Sequence, residues 1–403
     1  MGSSATTRRD FLKKSVAGGL GLAAGLRTAT LGGTAYADDV NYTATVAITR
    51  GPDRSDNAFR ALQMFKKQIA AAIGSKRVVI KVNFVSYPPS NSWAHTRVEH
   101  TEGILEFLKS IGKRDVVIAE SAAGGNSMAG FEACGYWALT GKYPVKLMDL
   151  NQEGYTSGNI WLYGSGSDQQ RTIRMCKMYL NPNNFIISAT PIKTHNTVLV
   201  TLSGKNIGMS VPYIDIGFSW GQGGAIREKY WMHGNAGGTG SPPGDYQALN
   251  DNVYRMLAVY KIHPHLAVLD GYQGTQGNGP VSGSGIANPQ QLAVASFDWL
   301  AADRIALTLM GTNVYKVLNH RVDDGYAMPY PAVLNYCWQA GAGEWDDRKI
   351  HVMGDIGDMA GDALVGNAIV YNYTASPTQS SQLGMRITPR ETPPGVTLVP
   401  VIT

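Results

Sequence analysis

The sequence predicts an α/β protein with mostly parallel sheets and crossover helices in two lobes, long glycine-rich loops and a small C-terminal β appendage. Three observations carry that expectation. Short apolar, β-branched runs alternate with segments whose apolar residues recur at helical spacing, the pattern of parallel crossover units. Small-residue or polar clusters follow several of those runs, at the edge where open α/β sheets bind ligands. The 403 residues include 47 glycines, well above the roughly 7% usual for globular chains, so much of the chain is expected in turns and loops.

The first element is an address. Thr7-Arg8-Arg9-Asp10-Phe11-Leu12-Lys13 precedes a weakly apolar run from Val16 to Leu31 and a small-x-small cleavage pattern at Ala35-Tyr36-Ala37. This predicts a twin-arginine signal over residues 1–37, a translocase partner, and a periplasmic or extracellular (secreted) location after cleavage near Ala37. The run is short, interrupted by Arg27 and rich in glycine, and no later stretch has 18 uninterrupted apolar residues, so no transmembrane segment is expected in the mature chain. Removing five basic residues (Arg8, Arg9, Lys13, Lys14, Arg27) and one acidic one (Asp10) lowers the net charge from +5 to +1. A near-neutral chain without a basic stripe gives nucleic-acid binding no electrostatic footing.

Within an N-terminal lobe, residues 38–183, one amphipathic helix is expected over 56–73, capped by Ser55 or Asp56 and ended by Gly74. Arg77 to Val85 (RVVIKVNFV) reads as a buried strand, Val98 to Ile111 as a helix stopped by Gly112, and Asp115 to Ala119 (DVVIA) as a second strand. Glu120 to Asn126 forms a small-residue loop before a helix around 128–139, followed by a short strand at 145–150 and a polar, turn-rich stretch to about Asn183. A second lobe, residues 184–347, opens with the strand Phe185 to Ala189 (FIISA), and Leu266 to Leu269 and Leu292 to Ser296 read as further strands. Asp298 to Met310 reads as a helix closed by Gly311, and residues 348–403 form the β appendage.

The densest polar cluster is Lys193-Thr194-His195 directly after a buried strand, continued by Thr201, Ser203, Lys205 and Asn206. Ammonium groups, hydroxyls and an imidazole at a strand end are suited to an anion, carboxylate or phosphate. His195 is a candidate proton carrier or metal ligand, Lys193 a catalytic cation, and Lys205 a charge clamp or covalent anchor, with Asn206 beside it. His95-Thr96-Arg97 forms a second cluster, and Thr96 with Glu99 also reads as a helix capping box. His233, with His95 and His195, completes three histidines able to hold a transition metal if their loops converge. Asp270, before Gly271 at another strand end, is a candidate acid, base or orienter, with a turn-forming Asp-Gly as the alternative. Ser296, Asp298 and Asp303 read as strand-end and capping residues. Gly217-Phe218-Ser219-Trp220-Gly221 matches a hydrolase elbow in sequence but lacks the helix that must follow it. Cys134, Cys176 and Cys337, with no C-x-x-C pair, give no iron-sulfur site on the chain's own cysteines and one disulfide at most.

Taken together, Ile80-Lys81-Val82-Asn83, the Asp115 to Gly125 strand and loop, Pro191 to Lys205-Asn206 and Gly208, Asp270-Gly271 with Asn278-Gly279-Pro280, and Ser296 to Asp303 resemble the bacterial and archaeal family known as domain of unknown function 362. That resemblance covers roughly residues 78 to 311 and implies an architecture and a site more than a reaction. Some members carry cysteine-rich ferredoxin segments, which this sequence lacks. The chain is more weakly similar to the nickel-pincer lactate racemase group, through Thr96-Arg97 beside His95 and His195 ten residues before Lys205. There the histidines and lysine hold a nickel-pyridinium cofactor that accepts a hydride from a 2-hydroxy acid, which implies a nickel-type organic cofactor and oxidoreductase or isomerase chemistry.

The sequence therefore leads to an exported enzyme acting on a small anionic, carboxylate-type substrate in an inter-lobe cleft, with a bound metal or organic cofactor as an added expectation. The alternative is a non-catalytic periplasmic protein that binds a ligand or metal.

Overall fold

A computed structural model describes residues 41–85, 92–122, 126–214, 228–234, 246–280, 282–286, 289–311, 332–366, 390 and 392–393. The expected export signal and the Ser219 motif lie outside these residues. The described residues fall in one compact unit.

Fifteen strands are described: β1 (Ala44–Arg50), β2 (Arg77–Lys81), β3 (Val116–Glu120), β4 (Val145–Asp149), β5 (Tyr155–Gly164), β6 (Ser167–Cys176), β7 (Asn184–Pro191), β8 (Lys193–His195), β9 (Leu199–Thr201), β10 (Leu266–Gly271), β11 (Thr275–Gln276), β12 (Ser284–Gly285), β13 (Leu292–Ser296), β14 (Ile350–Gly354) and β15 (Met359–Ala360). Nine of them make a single sheet in the order β15-β14-β1-β13-β10-β7-β2-β3-β4. Strands β4, β3, β2, β7 and β10 are mutually parallel, as are β1 and β14, and β13 runs antiparallel between β10 and β1. The α/β class with a mostly parallel sheet is therefore as the sequence indicates. Strand β13 reverses because residues 272–291 return it beside β10 without a crossover helix, and only a crossover could have kept it parallel.

The expected boundary at residues 183/184 falls inside this sheet. Strand β7 pairs with β2 on one side and β10 on the other, so the stretches 38–183 and 184–347 build one sheet instead of two. Nor is the C-terminal stretch wholly an appendage, since β14 extends the sheet by pairing with β1.

Alternation along the strands sends side chains to two faces. Val46 and Ile48 join one apolar cluster while Ala47 joins the other, and Val79 lies opposite Val78 and Ile80. One face is covered by α1 (Arg54–Gln63), α2 (Lys66–Ile73), α3 (Val98–Ser110), α4 (Ser127–Ala133) and α5 (Trp137–Thr140), through residues such as Ala61, Leu62, Ile69, Ile104, Phe131 and Leu139. On the other lie α6 (Ser203–Gly208), α7 (Glu228–Met232), α8 (Tyr246–Tyr254), α9 (Trp299–Met310) and α10 (Ala332–Gln339), with the β5-β6 hairpin.

Two local expectations change. The helix expected over 56–73 is two helices that break at Met64 and Phe65, and its cap is Asp53, whose side chain accepts from Ser55 N and Asp56 N at 2.8 and 3.0 Å. The turn-rich stretch before Asn183 contains the ten-residue strands β5 and β6, joined by a two-residue turn at Ser165 and Gly166 with φ of 51° and 80°. Positive φ at both positions is the type I′ geometry whose twist matches a hairpin.

Candidate functional site

The chain runs outward from β2 to β3 and β4, then returns to place β7 and β10 on the other side of β2. The order reverses between β2 and β7, and at such a switch point the loops leaving the carboxyl ends part to make a crevice. A cavity of about 450 Å³ lies there, lined among others by Lys81, Asn83, Glu120, His195, Lys205, Asn206, Lys229 and His233.

Lys81 and Glu120 end the adjacent strands β2 and β3, and their side chains, each 2% exposed, pair at 2.5 Å. Glu120 also accepts from Ser121 N at 2.6 Å and from Phe84 N. Burial lowers the Lys81 pKa while the Glu120 charge opposes that shift. Beside the pair, Asn206 uses its whole amide: Oδ1 accepts from Lys81 Nζ at 3.0 Å and Asn83 Nδ2 at 2.9 Å, and Nδ2 donates to Lys81 O at 3.1 Å and Ser188 Oγ at 3.0 Å. This network ties β2, β7 and α6 together, so the strand ends that form the cavity wall are held in one register.

Lys205 is half-buried, and no described residue accepts a hydrogen bond from its Nζ. Burial, followed by repulsion from Lys229 and Lys81, brings its pKa down to about 7. Lys229 donates to Ser121 O at 2.9 Å and Ser121 Oγ at 3.1 Å, and burial lowers its pKa to about 8. Glu120, the only carboxylate among the described lining residues, is already spent on Lys81. Lys205 and Lys229 therefore leave the cavity positive, and an anion entering it relieves their repulsion.

His195 lines the same cavity, and its Nδ1 accepts from the backbone amides of Thr197 at 2.9 Å and Val198 at 3.3 Å. Burial and then the Lys205 charge push its pKa well below 6.5, so the ring is neutral near pH 7. A neutral imidazole with Nδ1 accepting carries its proton on Nε2, across the ring from those amides. His195 is thus built to donate a hydrogen bond more than to abstract a proton. His233 has Nδ1 at 2.8 Å from Lys229 O, and burial takes its pKa to about 4.

Other expected site residues lie elsewhere. Lys193 is fully buried behind the cavity, its Nζ donating to Asn83 Oδ1 at 2.7 Å and Ala94 O at 2.6 Å, so it bolts the β2 exit in place and does not line the site. Asp270, also fully buried, lies 3.3 Å from Arg54 Nε and accepts from Tyr272 N at 3.2 Å, which makes it a strand-end anchor. Thr96 Oγ1 accepts from Asn83 N and donates to Ala189 O, both at 2.8 Å, while Arg97 is part-exposed and 3.7 Å from Glu99. His95 is buried with its ring 6.2 Å from that of Phe84.

Of the three histidines considered as metal ligands, only His195 and His233 line the cavity, and no group of three His, Cys, Asp or Glu side chains suited to a metal ion exists among the described residues. The set implied by the racemase resemblance does not assemble either. His195 and Lys205 share the cavity, but Thr96 has both hydroxyl functions committed to backbone and Arg97 points to Glu99. The residues present do not fit that cofactor. All three cysteines are free thiols.

Glu120, Asn83 and Lys229 are site residues that the sequence does not single out. A lysine four residues before His233 on one helical face was the available signal for Lys229, and a glutamate ending a buried strand was that for Glu120.

An open α/β protein with a lysine-rich cavity at its switch point is the class that fold and site define. Residues 78–308 match the family described as Domain of unknown function (DUF362), and the chain belongs to that family. The Thylakoid-associated protein sll1697 of Synechocystis sp. is 23% identical over 236 residues, 58% of this chain and 63% of that protein. The chain thus spans less than two thirds of that relative. A crystal structure of a Thermotoga maritima protein is similar with a TM-score of 0.35 and 10% identity, covering 55% of this chain and 51% of the other. No helix among the described residues is long and apolar enough to cross a membrane.

Proposed function

We propose that this protein is an exported enzyme acting on a small carboxylate-bearing substrate in the switch-point cavity. The observation that carries the reading is the convergence of Lys205 and Lys229 on a cavity where Glu120, the one carboxylate among the described lining residues, already neutralises Lys81. In this reading Lys229 holds the carboxylate, Lys205 adds its charge while it is protonated, and neutral His195 donates Nε2–H to a substrate oxygen that gains negative charge during the reaction. Lys193 and Asp270 support the strand ends without touching substrate. The Thr7 to Lys13 stretch with its apolar run and the Ala35-Tyr36-Ala37 pattern supports twin-arginine export, and with it a periplasmic or extracellular location.

Calorimetry with a panel of small 2-oxo and 2-hydroxy carboxylates tests the reading. Lys229→Met is expected to weaken binding by about 10-fold to 100-fold, the worth of one charge-assisted hydrogen bond. His195→Ala should abolish turnover of the bound acid while changing its affinity by less than about 10-fold. Loss of affinity alone in His195→Ala would favour a binding protein without turnover, and unchanged affinity in Lys229→Met would remove the anion site. Because Lys205 and Lys229 lose their charges as pH rises through about 7 and about 8, affinity should fall between pH 6.5 and 9. His195 and His233 are already neutral in that range, so neither offsets the loss.

A further inference from the structure

We infer that Lys205 is a nucleophilic amine that condenses with the carbonyl carbon of a small 2-oxo carboxylate, whose carboxylate rests against Lys229. The inference rests on the anion-binding reading and names the substrate class for it. Lysine ammonium groups in and behind this site are held by acceptors: Lys81 by Glu120, Val82 O and Asn206, Lys193 by Asn83 and Ala94 O, and Lys229 by Ser121. Lys205 alone among them has no acceptor in the described residues, although it faces the cavity.

Its backbone is fixed while its amine meets no acceptor among the described residues. Asp303 accepts from Ser203 N at 2.8 Å and Gly204 N at 2.9 Å, so the start of α6 is clamped to α9. A Cβ at Gly204 would lie 2.4 Å from the Trp299 ring, which only glycine avoids, and Asn206 is wired to β2 and β7. Such anchoring suits a group that must meet a reacting atom at a set distance. Burial, with the neighbouring Lys229 and Lys81 charges adding to it, brings its pKa to about 7 and leaves a substantial share of the amine unprotonated near neutrality. An unprotonated lysine amine in a desolvated, cationic setting is a nucleophile toward carbonyl carbon.

The step balances without another reactant. The Lys205 nitrogen pair forms the C–N bond as the carbonyl π pair moves to oxygen, and one nitrogen proton passes to that oxygen, which His195 Nε2–H steadies. The carbinolamine hydroxyl then leaves as water with the second nitrogen proton, and the nitrogen pair closes the C=N bond.

Trapping tests this directly. Mature protein is incubated with pyruvate and sodium cyanoborohydride at pH 7, with acetone as the uncharged comparison, and peptides are mapped by mass spectrometry. The expected result is one adduct on Lys205, equal in mass to pyruvate less one oxygen, absent with acetone and absent in a folded Lys205→Arg variant. Labelling should rise between about pH 6 and 8, whereas an ordinary surface lysine gains reactivity only toward its usual pKa of about 10.4. A protein that binds pyruvate by calorimetry but gives no Lys205 adduct, or one labelled equally in Lys205→Arg, overturns the imine and leaves the anion site standing. Absence of both binding and labelling overturns both.

Discussion

Glu120 shows how one side chain sets the charge of the site. Its two oxygens accept from Lys81 Nζ, Ser121 N and Phe84 N, so it folds the ends of β2 and β3 together while cancelling one of the lysine charges. Glu120→Gln keeps the volume but turns one acceptor into a donor facing another donor, and leaves the buried Lys81 without its counter-charge. Removing one partner of a buried pair costs about 3–5 kcal/mol, so the urea midpoint should fall accordingly, while the more positive cavity should bind carboxylates more tightly. A variant within about 0.5 kcal/mol of the parent, the range of an ordinary surface substitution, would show that the pair contributes little to either. Lys193 teaches the converse at the same scale. Its place after a buried strand correctly put it at the sheet's carboxyl edge, but whether an ammonium faces a ligand or a carbonyl depends on Asn83 and Ala94, about a hundred residues away in sequence. Local sequence carries no trace of that choice.

At the level of elements, α6 is the piece on which the site depends, and Asp303 is its clamp. Burial raises the Asp303 carboxyl to about 7 although the amides of Ser203 and Gly204 pull it down. A carboxyl whose folded pKa exceeds its unfolded one binds protons more tightly in the native state, so its contribution to stability is full below about pH 4 and declines as pH rises to about 7. Asp303→Asn should flatten the pH dependence of the urea midpoint over that window, whereas Asp303→Ala should cost about 2–4 kcal/mol by leaving two buried amides without acceptors. A pH profile identical in Asp303→Asn and the parent would show that the group does not titrate there. Elements with a continuous apolar run or a strong helical stripe were readable in the sequence: β13 matches its expected span of Leu292 to Ser296, and α9 begins after its expected cap Asp298, which accepts from Leu300 N and Ala301 N. The β5-β6 hairpin was not, because glycines take the buried positions 158 and 164 while Trp161 and Tyr163 take half-exposed ones, which blurs the apolar alternation that marks a strand. Its one local signal, Ser165-Gly166 at the turn, was lost among the many glycines.

Across the whole molecule, the near-neutral charge expected of the mature chain conceals a strongly uneven distribution. Lysines from three separate stretches, at position 81, at 193 and 205, and at 229, are gathered at one sheet edge because β7 inserts between β2 and β10. The apolar runs mark the central strands β2, β3, β7, β10 and β13, but nothing local says which of them become neighbours, so one sheet reads as two lobes. The same gathering bears on export. A sheet whose central strands come from residues 77–81, 184–191 and 266–271 closes only when most of the chain is present, and its buried Lys81–Glu120 pair is satisfied only then. Such long-range pairing is slow to form and exposes unpaired edges while it does, so export in the folded state would shelter it until it is complete. If the signal works in this way, replacing both Arg8 and Arg9 by Lys should hold the protein in the cytoplasm as folded, protease-resistant precursor retaining residues 1–37, as cell fractionation and intact mass would show. Equal amounts of cleaved protein outside the cytoplasm for parent and variant would mean that the paired arginines do not direct its export.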